Sequence, residues 1–334
     1  MNSSNDHSRF VSERLEYLAA SLGGTQILDL RRLTGGASKE TWSFDLKTAT
    51  GNTPLILRRL PGHSSQHEIQ MSLSIEAAVI SAVAKGGVKV PEVRHVLCSV
   101  DQLGEGFVMA RVSGETIPRK IIRDPAFAAI RPQLAFQFGA ELARIHQLDC
   151  SALPALRLAP ASQALTDLQR DLERCTMPRP VFALALQWLK HNAPSDPVTP
   201  ALVHGDFRNG NIIFNSEGIA AVLDWELAHL GDPMEDFGWL FMTPWRFGQI
   251  DLPAGGLGTR EQAFAGYRQA GGIVDIARVK FWEVAGCLRW GMTCDYALSQ
   301  FEQHAEIADI EHAMIARRAS ETEVDLLRML CLED

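Results

Sequence analysis

Residues 201–215, ALVHGDFRNGNIIFN, set His204, Asp206, Arg208 and Asn211 between two apolar runs. The flanks read as short buried strand, so the polar residues fall in the connection between strands. The following SEGIAAVLDW (216–225) opens with turn chemistry and continues as a second apolar strand. A hairpin is expected, with 215 facing 219, 213 facing 221 and 211 facing 223. That register puts Asn211 beside Asp224 at the open end, and Asp206 in the loop that feeds it. Two carboxylates and an amide oxygen gathered at one point suit Mg²⁺, a hard cation held by one or two carboxylates plus substrate phosphates. The remaining carboxylate can orient or deprotonate a hydroxyl. Singly, each residue has an ordinary structural reading, as a turn Asp, a strand cap or a helix cap. The weight lies in the set.

Working outward, residues 8–22 have the pattern of an amphipathic helix ending at Gly23-Gly24. ILDLRRLTGGASKETWSFDL (27–46) reads as strand, Gly-Gly turn, strand. A further strand covers 54–59 after the Gly51-Asn52 turn. In SLSIEAAVISAVAKGG (72–87), Ile75, Val79 and Val83 recur at helical spacing before Gly86-Gly87. EGFVMARVSGE (105–115) is a strand running into a connection near 112–116. From about residue 125 long helical patterns dominate, as in RPQLAFQFGAELARIHQL (131–148), and MPRP (177–180) and NAPSDPVTP (192–200) are Pro-rich loops. The expected architecture is α+β: a small β-rich N-terminal lobe over 1–112, with its N-terminal helix, and a larger, mainly helical lobe over 113–334.

The chain's 334 residues exceed one ordinary domain, which agrees with two lobes. A net charge of −8 argues against a general nucleic-acid binder, though not against a local basic pocket. The six cysteines form no C-x-x-C pair and read as reduced thiols. The opening MNSSNDHSRF lacks the apolar core of a signal peptide. No run reaches the ~18 apolar residues of a spanning helix. A cytoplasmic protein with no membrane or nucleic-acid partner is expected; the sequence carries no signal for oligomeric state.

HGDFRNGN followed by VLDWE resembles the catalytic loop and metal-binding Asp of the aminoglycoside phosphotransferase family, a branch of the protein-kinase-like fold. The family pattern is H-G-D-x-x-x-x-N and then an Asp at the end of the next strand. Here Asn211 lies five residues after Asp206, and Asp224 thirteen after Asn211. LDWELAHLGDP is closest in wording to kinase-like domains found alone in many bacteria and fused to some acyl-CoA dehydrogenases. The resemblance implies a bilobal fold, ATP and Mg²⁺ as cofactors, and a small-molecule hydroxyl as acceptor. It makes Asp206 the base, and Asn211 and Asp224 the metal ligands. Asp236 would be a buried brace for the catalytic loop, and Asp232-Pro233 a helix start. LTGGASKETWSF, with Gly35 and Gly36, would fold over the phosphates, although it matches neither common phosphate-loop pattern. Arg58 stands where the family carries a phosphate-binding Lys, with Glu76 as its helix partner; the two cations are not equivalent. Arg59 should point to the other strand face. Adenine would bond to backbone near Met109 to Arg111.

Two rival readings exist. Arg at the Lys position suggests a non-catalytic nucleotide-binding module, and the complete Asp206, Asn211 and Asp224 set argues against it. HGD superficially suggests a metallophosphoesterase, whose further His-rich motifs do not occur here. Among other residues, His146 reads as a packed core histidine. His63 and His67 have metal-like spacing without a nearby third ligand. Arg119, Lys120 and Arg123 form a solvated face or an anion contact. Arg289 needs a partner, and could line an acceptor pocket with Trp245 and Trp290. Together with Arg246, these cations favour a partly apolar acceptor, such as a hydroxylated acid or acyl thioester, over a polycationic antibiotic.

Overall fold

The computed structural model describes residues 2–33, 39–61, 71–175, 177–195, 198–303 and 310–331. In chain order the elements are α1 (Asn2–Leu18), β1 (Gln26–Leu33), β2 (Glu40–Thr48), β3 (Gly51–Leu60), α2 (Leu73–Lys85), β4 (Val93–Val96) and β5 (Glu105–Ala110). There follow α3 (Pro118–Arg123), α4 (Arg131–His146), β6 (Leu158–Ala159), α5 (Ala161–Glu173), α6 (Pro180–His191), β7 (Ala201–Val203), β8 (Ile212–Asn215), β9 (Gly218–Val222) and β10 (His229–Gly231). The chain closes with α7 (Met234–Leu240), α8 (Arg260–Gln269), α9 (Ile276–Gln303), α10 (Ile310–Ala316) and α11 (Ala319–Cys331). Two compact units result. One gathers Met1–Thr116, Asp149–Ala155 and Ile212–Leu227; the other holds Ile117–Leu148, Leu156–Asn211 and Ala228–Asp334.

The first unit is built on an antiparallel sheet of order β1-β2-β3-β5-β4. Alternation decides its faces. Trp42, Phe44 and Leu46 of β2 and Leu55 and Leu57 of β3 are buried with Val11, Leu15 and Leu18 of α1. Arg58 falls on the opposite face. Arg59 shares the α1 face, where Glu40 lies 3.7 Å from its Nε, and it is buried rather than solvent-exposed. Glu40 also binds the ring of His7 at 2.8 Å. Helix α2 starts on Ser72, whose hydroxyl accepts from Ile75 N, and ends at Gly86. Helix α1 starts and stops earlier than the 8–22 expected from sequence.

The β8–β9 hairpin belongs to this unit. Glu115 pairs with Phe214, and Lys89 donates from Nζ to the Ile219 carbonyl. Ile213 faces Ala221 as expected, but Phe214 faces Ile219 and Asn215 faces Gly218, because the register shifts between Ile213 and Phe214. The cause is a tighter turn. Asn215 Oδ1 accepts from Glu217 N, and Gly218 has φ +115°, so only Ser216 and Glu217 bridge the strands.

The second unit is helical around the short sheet β6-β10-β7. Helix α4 lies so close to α8 that a Cβ on Gly139 would sit 1.8 Å from the Ala263 carbonyl oxygen. Likewise a Cβ on Gly238 of α7 would meet the Trp282 backbone of α9 at 2.4 Å. These backbone contacts hold α7 against the core, and α7 carries the residues that fix the polar loop. No helix of the described residues is long and apolar enough to cross a membrane.

Candidate active site

In the helical unit, the loop 204–211 leaves β7 through Gly205, whose φ of +80° suits glycine. Its backbone is clamped by Asp236, which is fully buried on α7. One Asp236 oxygen accepts from His204 N and the other from Gly205 N, both at 2.9 Å. His146 Nε2 lies 3.0 Å from Asp236 Oδ2, and the Tyr267 hydroxyl lies 3.0 Å from His146 Nδ1. Asp236 is thus the expected brace. His146 is buried as expected, but it acts as a link in this chain rather than as plain packing. Burial alone would push the Asp236 carboxyl up; the hydrogen bond and charge of His146, with the backbone N–H of His204, hold it below its ordinary value. A depressed carboxyl stabilises the fold above its unfolded pKa, and that stability is lost as pH falls through the folded value. Asp236→Ala strands two buried N–H groups and should cost about 3–5 kcal/mol. A thermal melt unchanged from wild type would contradict the brace.

Asp206 is held on both oxygens. Oδ1 accepts from Arg208 Nε at 3.0 Å and from Trp239 Nε1 at 2.6 Å, and Oδ2 accepts from Asn211 Nδ2 at 2.6 Å. The side chains between them anchor the loop. Phe207 is fully buried against the edge of Phe138, and Asn209 donates to the Gly255 carbonyl. Arg208 lies over Trp245 at 4.7 Å, and Trp245 packs on Trp290. Arg289 finds its partners in Glu235 at 3.4 Å and the Gly205 carbonyl at 3.1 Å, and stacks over Trp239 at 4.2 Å. It therefore supports the loop instead of lining an acceptor pocket. Arg246 is likewise tied, to the carbonyls of Phe241 and Ile250.

In the β-rich unit, a second polar cluster gathers on the face of β3 that carries Arg58. Arg58 Nη2 lies 2.5 Å from Asp224 Oδ1, 3.0 Å from Glu226 Oε2 and 3.6 Å from Glu76 Oε1. Lys39 Nζ bonds the same Glu226 oxygen at 2.5 Å and lies 3.5 Å from Glu76. Two cations thus face three carboxylates. Burial opposes the charge on Arg58, but Glu76, Asp224 and Glu226 more than offset it and keep its pKa above the ordinary range. Glu76 is pushed up by burial against the pull of Arg58 and Lys39. The side chain of Asp224 is 30% exposed, that of Glu226 20% and that of Glu76 1%. Asp224 also adopts φ +64°, a conformation that Asp and Asn tolerate better than most residues.

Other expected residues fall as follows. Gly35 and Gly36 lie outside the described residues, as do His63 and His67. Ala110 N donates to the Glu92 carbonyl and Arg111 N to Pro54, so two N–H groups of the span 109–111 are committed within the chain. Met109 pairs with Ile56 across the β3–β5 ladder. The Arg111 guanidinium bonds Ser43 and Asp45. Arg119, Lys120 and Arg123 are exposed on α3. Asp232 accepts from Met234 N at the start of α7, the helix-start role expected. Sequence reasoning missed Lys39, Glu226 and Trp239. The first two had a visible signal: a cation beside the Gly-Gly turn, and a second carboxylate two residues after Asp224. Trp239 had none, since nothing local shows that an indole N–H on α7 reaches Asp206.

Residues 29–273 match the phosphotransferase enzyme family. Mouse acyl-CoA dehydrogenase family member 10 is 30% identical over 239 residues, 66% of this chain and 21% of that protein. Chicken acyl-CoA dehydrogenase family member 11 is 28% identical over 69% of this chain and 31% of its own length. The chain therefore spans only about a fifth to a third of these relatives. Among solved structures, a Ralstonia eutropha protein provisionally assigned as an aminoglycoside phosphotransferase superposes with a TM-score of 0.74 at 19% identity, covering 95% of this chain and 97% of that one. A thermostable mutant of aminoglycoside phosphotransferase APH(4)-Ia, in ternary complex with AMP-PNP and hygromycin B, gives 0.66 at 18% identity, covering 97% and 99%. At such identities these structures speak for the fold. The match over 29–273, with a β-rich unit followed by a helical one, shows that the chain belongs to the phosphotransferase enzyme family and has its α+β, bilobal protein-kinase-like fold.

Proposed function

We propose that this chain transfers the terminal phosphoryl group of ATP to a hydroxyl of a small molecule. The observation that carries the reading is Asp206, a carboxylate oriented on both oxygens by Arg208, Trp239 and Asn211 in a loop clamped by Asp236. Such a group can align an acceptor hydroxyl and take its proton as the bond to phosphorus forms. Residues 1–112 would form the nucleotide-binding lobe and 113–334 the catalytic lobe. Gly35 and Gly36 would cover the phosphates, Arg58 with Glu76 would bind them, and backbone near Met109 and Arg111 would meet adenine. Asp224 and Asn211 offer the hard oxygen donors that Mg²⁺ requires, and the exposure of Asp224 fits that use. The ion, when bound, neutralises phosphate charge. Six free thiols suit a cytoplasmic setting.

The surroundings of Asp206 support a particular acceptor class. Arg208 and the indoles of Trp239 and Trp245 lie near the base, and they suit a partly apolar acceptor better than a polycation. A hydroxylated acid or acyl thioester fits. Pools of hydroxylated acids, hydroxyacyl thioesters, neutral sugars and aminoglycosides, each mixed with Mg-ATP, test this by ADP release. The acid or thioester pool should stimulate release most; stimulation by the aminoglycoside pool alone would overturn the acceptor class.

Arg58 supplies a further prediction. A cation in a water-poor site stabilises phosphate charge more than in bulk water. Arg58→Met should lose nucleotide affinity and turnover, while Arg58→Lys should retain part of both. Equal behaviour of Arg58→Met and wild type in nucleotide titration would remove Arg58 from phosphate binding.

A further inference from the structure

Within the helical unit, a cavity of about 520 Å³ opens among α8, α9, α11 and the segment 242–253. Its size lies in the range of small-ligand pockets, roughly 300–1,000 Å³. No lining residue belongs to the loop 204–211. The wall between cavity and loop is the 3₁₀ turn Thr243–Arg246. Thr243 and Arg246 line the cavity, while Trp245 of the same turn carries Arg208 on its ring. The cavity is therefore a compartment apart from Asp206.

Its lining has two characters. Met242, Phe264, Val279 and Met329 supply an apolar wall. The charged groups are mostly satisfied internally. Glu283 is paired with Arg260 at 2.8 Å and with Arg246 at 3.7 Å. Asp325 accepts a hydrogen bond from Thr243 and lies 4.0 Å from Arg328. Among the lining cations Lys280 is the exception. It is half-buried, lines the cavity, and has no hydrogen bond or ion pair among the described residues. A partly desolvated ammonium without an internal partner, beside an apolar wall, favours an anion whose body is apolar.

We propose that this cavity is a binding site for a small aliphatic monocarboxylate, its carboxylate on Lys280 and its chain against Phe264, Val279 and Met329. Arg328 at the rim adds a second positive charge, and Glu283 does not oppose the ligand because Arg260 and Arg246 already neutralise it. Asp251 also lines the site but is exposed to solvent, which screens its charge. Residues on both sides of one short turn further make the occupied cavity a neighbour of the Arg208–Asp206 pair, although binding does not depend on phosphoryl transfer.

The test is calorimetric titration of the full chain, without nucleotide, so its result stands apart from the phosphotransferase reading. Octanoate should bind saturably at one site. Butanoate should bind at least roughly tenfold more weakly, because four methylenes leave the wall. Octanol, lacking the charge, should also bind more weakly than octanoate. Lys280→Gln should weaken octanoate binding about tenfold, the effect of losing one charge-assisted contact, and Lys280→Glu more strongly. Lys190→Gln, an exposed change on α6, should leave it unaltered. Absence of octanoate binding to wild type would overturn the site, as would equal affinity of wild type and both Lys280 variants, or of octanoate and octanol.

Discussion

Asp206→Ala is expected to lower turnover by roughly 10²–10⁴-fold, the range for losing a positioned proton acceptor, while nucleotide affinity stays close to wild type. The separation of the two effects follows from where the side chain is tied. Its partners are Arg208, Trp239 and Asn211, all in the helical unit, whereas the Arg58 cluster is built from β3, α2 and the segment after β9. Removing the carboxylate frees the part-exposed Arg208 guanidinium, and the Asp236 clamp holds the loop through the His204 and Gly205 backbone, which the substitution does not touch. Asp206→Asn is the companion variant: it preserves the shape and loses the proton acceptor, and should fall as far. Turnover within a few-fold of wild type in either variant would remove Asp206 from the role of base.

Asp224→Asn should remove most of the Mg²⁺ dependence of ATP binding and weaken Mg-ATP by roughly 10–100-fold, because the lost charge is the one that a bound ion would share with phosphate oxygens. Asn is chosen because Asp224 has φ +64°, which Ala would adopt only under strain. The substitution also takes one of three carboxylates from Arg58, leaving Glu76 and Glu226, so the cation stays paired and the fold should survive. Titration with and without Mg²⁺ separates the two consequences. An unchanged Mg-ATP affinity would take Asp224 out of the metal site.

Much of this arrangement is legible in the chain because its signals are local. The five-residue step from Asp206 to Asn211 and the turn chemistry at 216–218 specify a loop and a hairpin without long-range contacts. The alternation of β3 is a local signal too, and it places Arg58 and Arg59 on opposite faces. The bulge at Ile213/Phe214 was not legible, because the turn length depends on whether Gly218 takes positive φ, and SEG allows both outcomes. The burial of Arg59 was not legible for a related reason: alternation tells which face a residue takes, not what lies there, and here it is buried beside Glu40. Arg289 and Arg246 read as acceptor-facing cations, yet each is spent on backbone carbonyls that only the folded chain brings near. Trp239 on Asp206 belongs to the same class: a contact over 33 residues of sequence, made by the docking of α7.

The measurement closest to the central claim is mass spectrometry of an acceptor pool after incubation with Mg-ATP. Wild type should add one phosphoryl group to a hydroxylated component and release a matching amount of ADP, and Asp206→Ala should do neither while still binding Mg-ATP. If wild type binds Mg-ATP but modifies no hydroxylated compound in any pool, and its ADP release equals that of Asp206→Ala, the chain is a nucleotide-binding module and the phosphoryl-transfer account is contradicted.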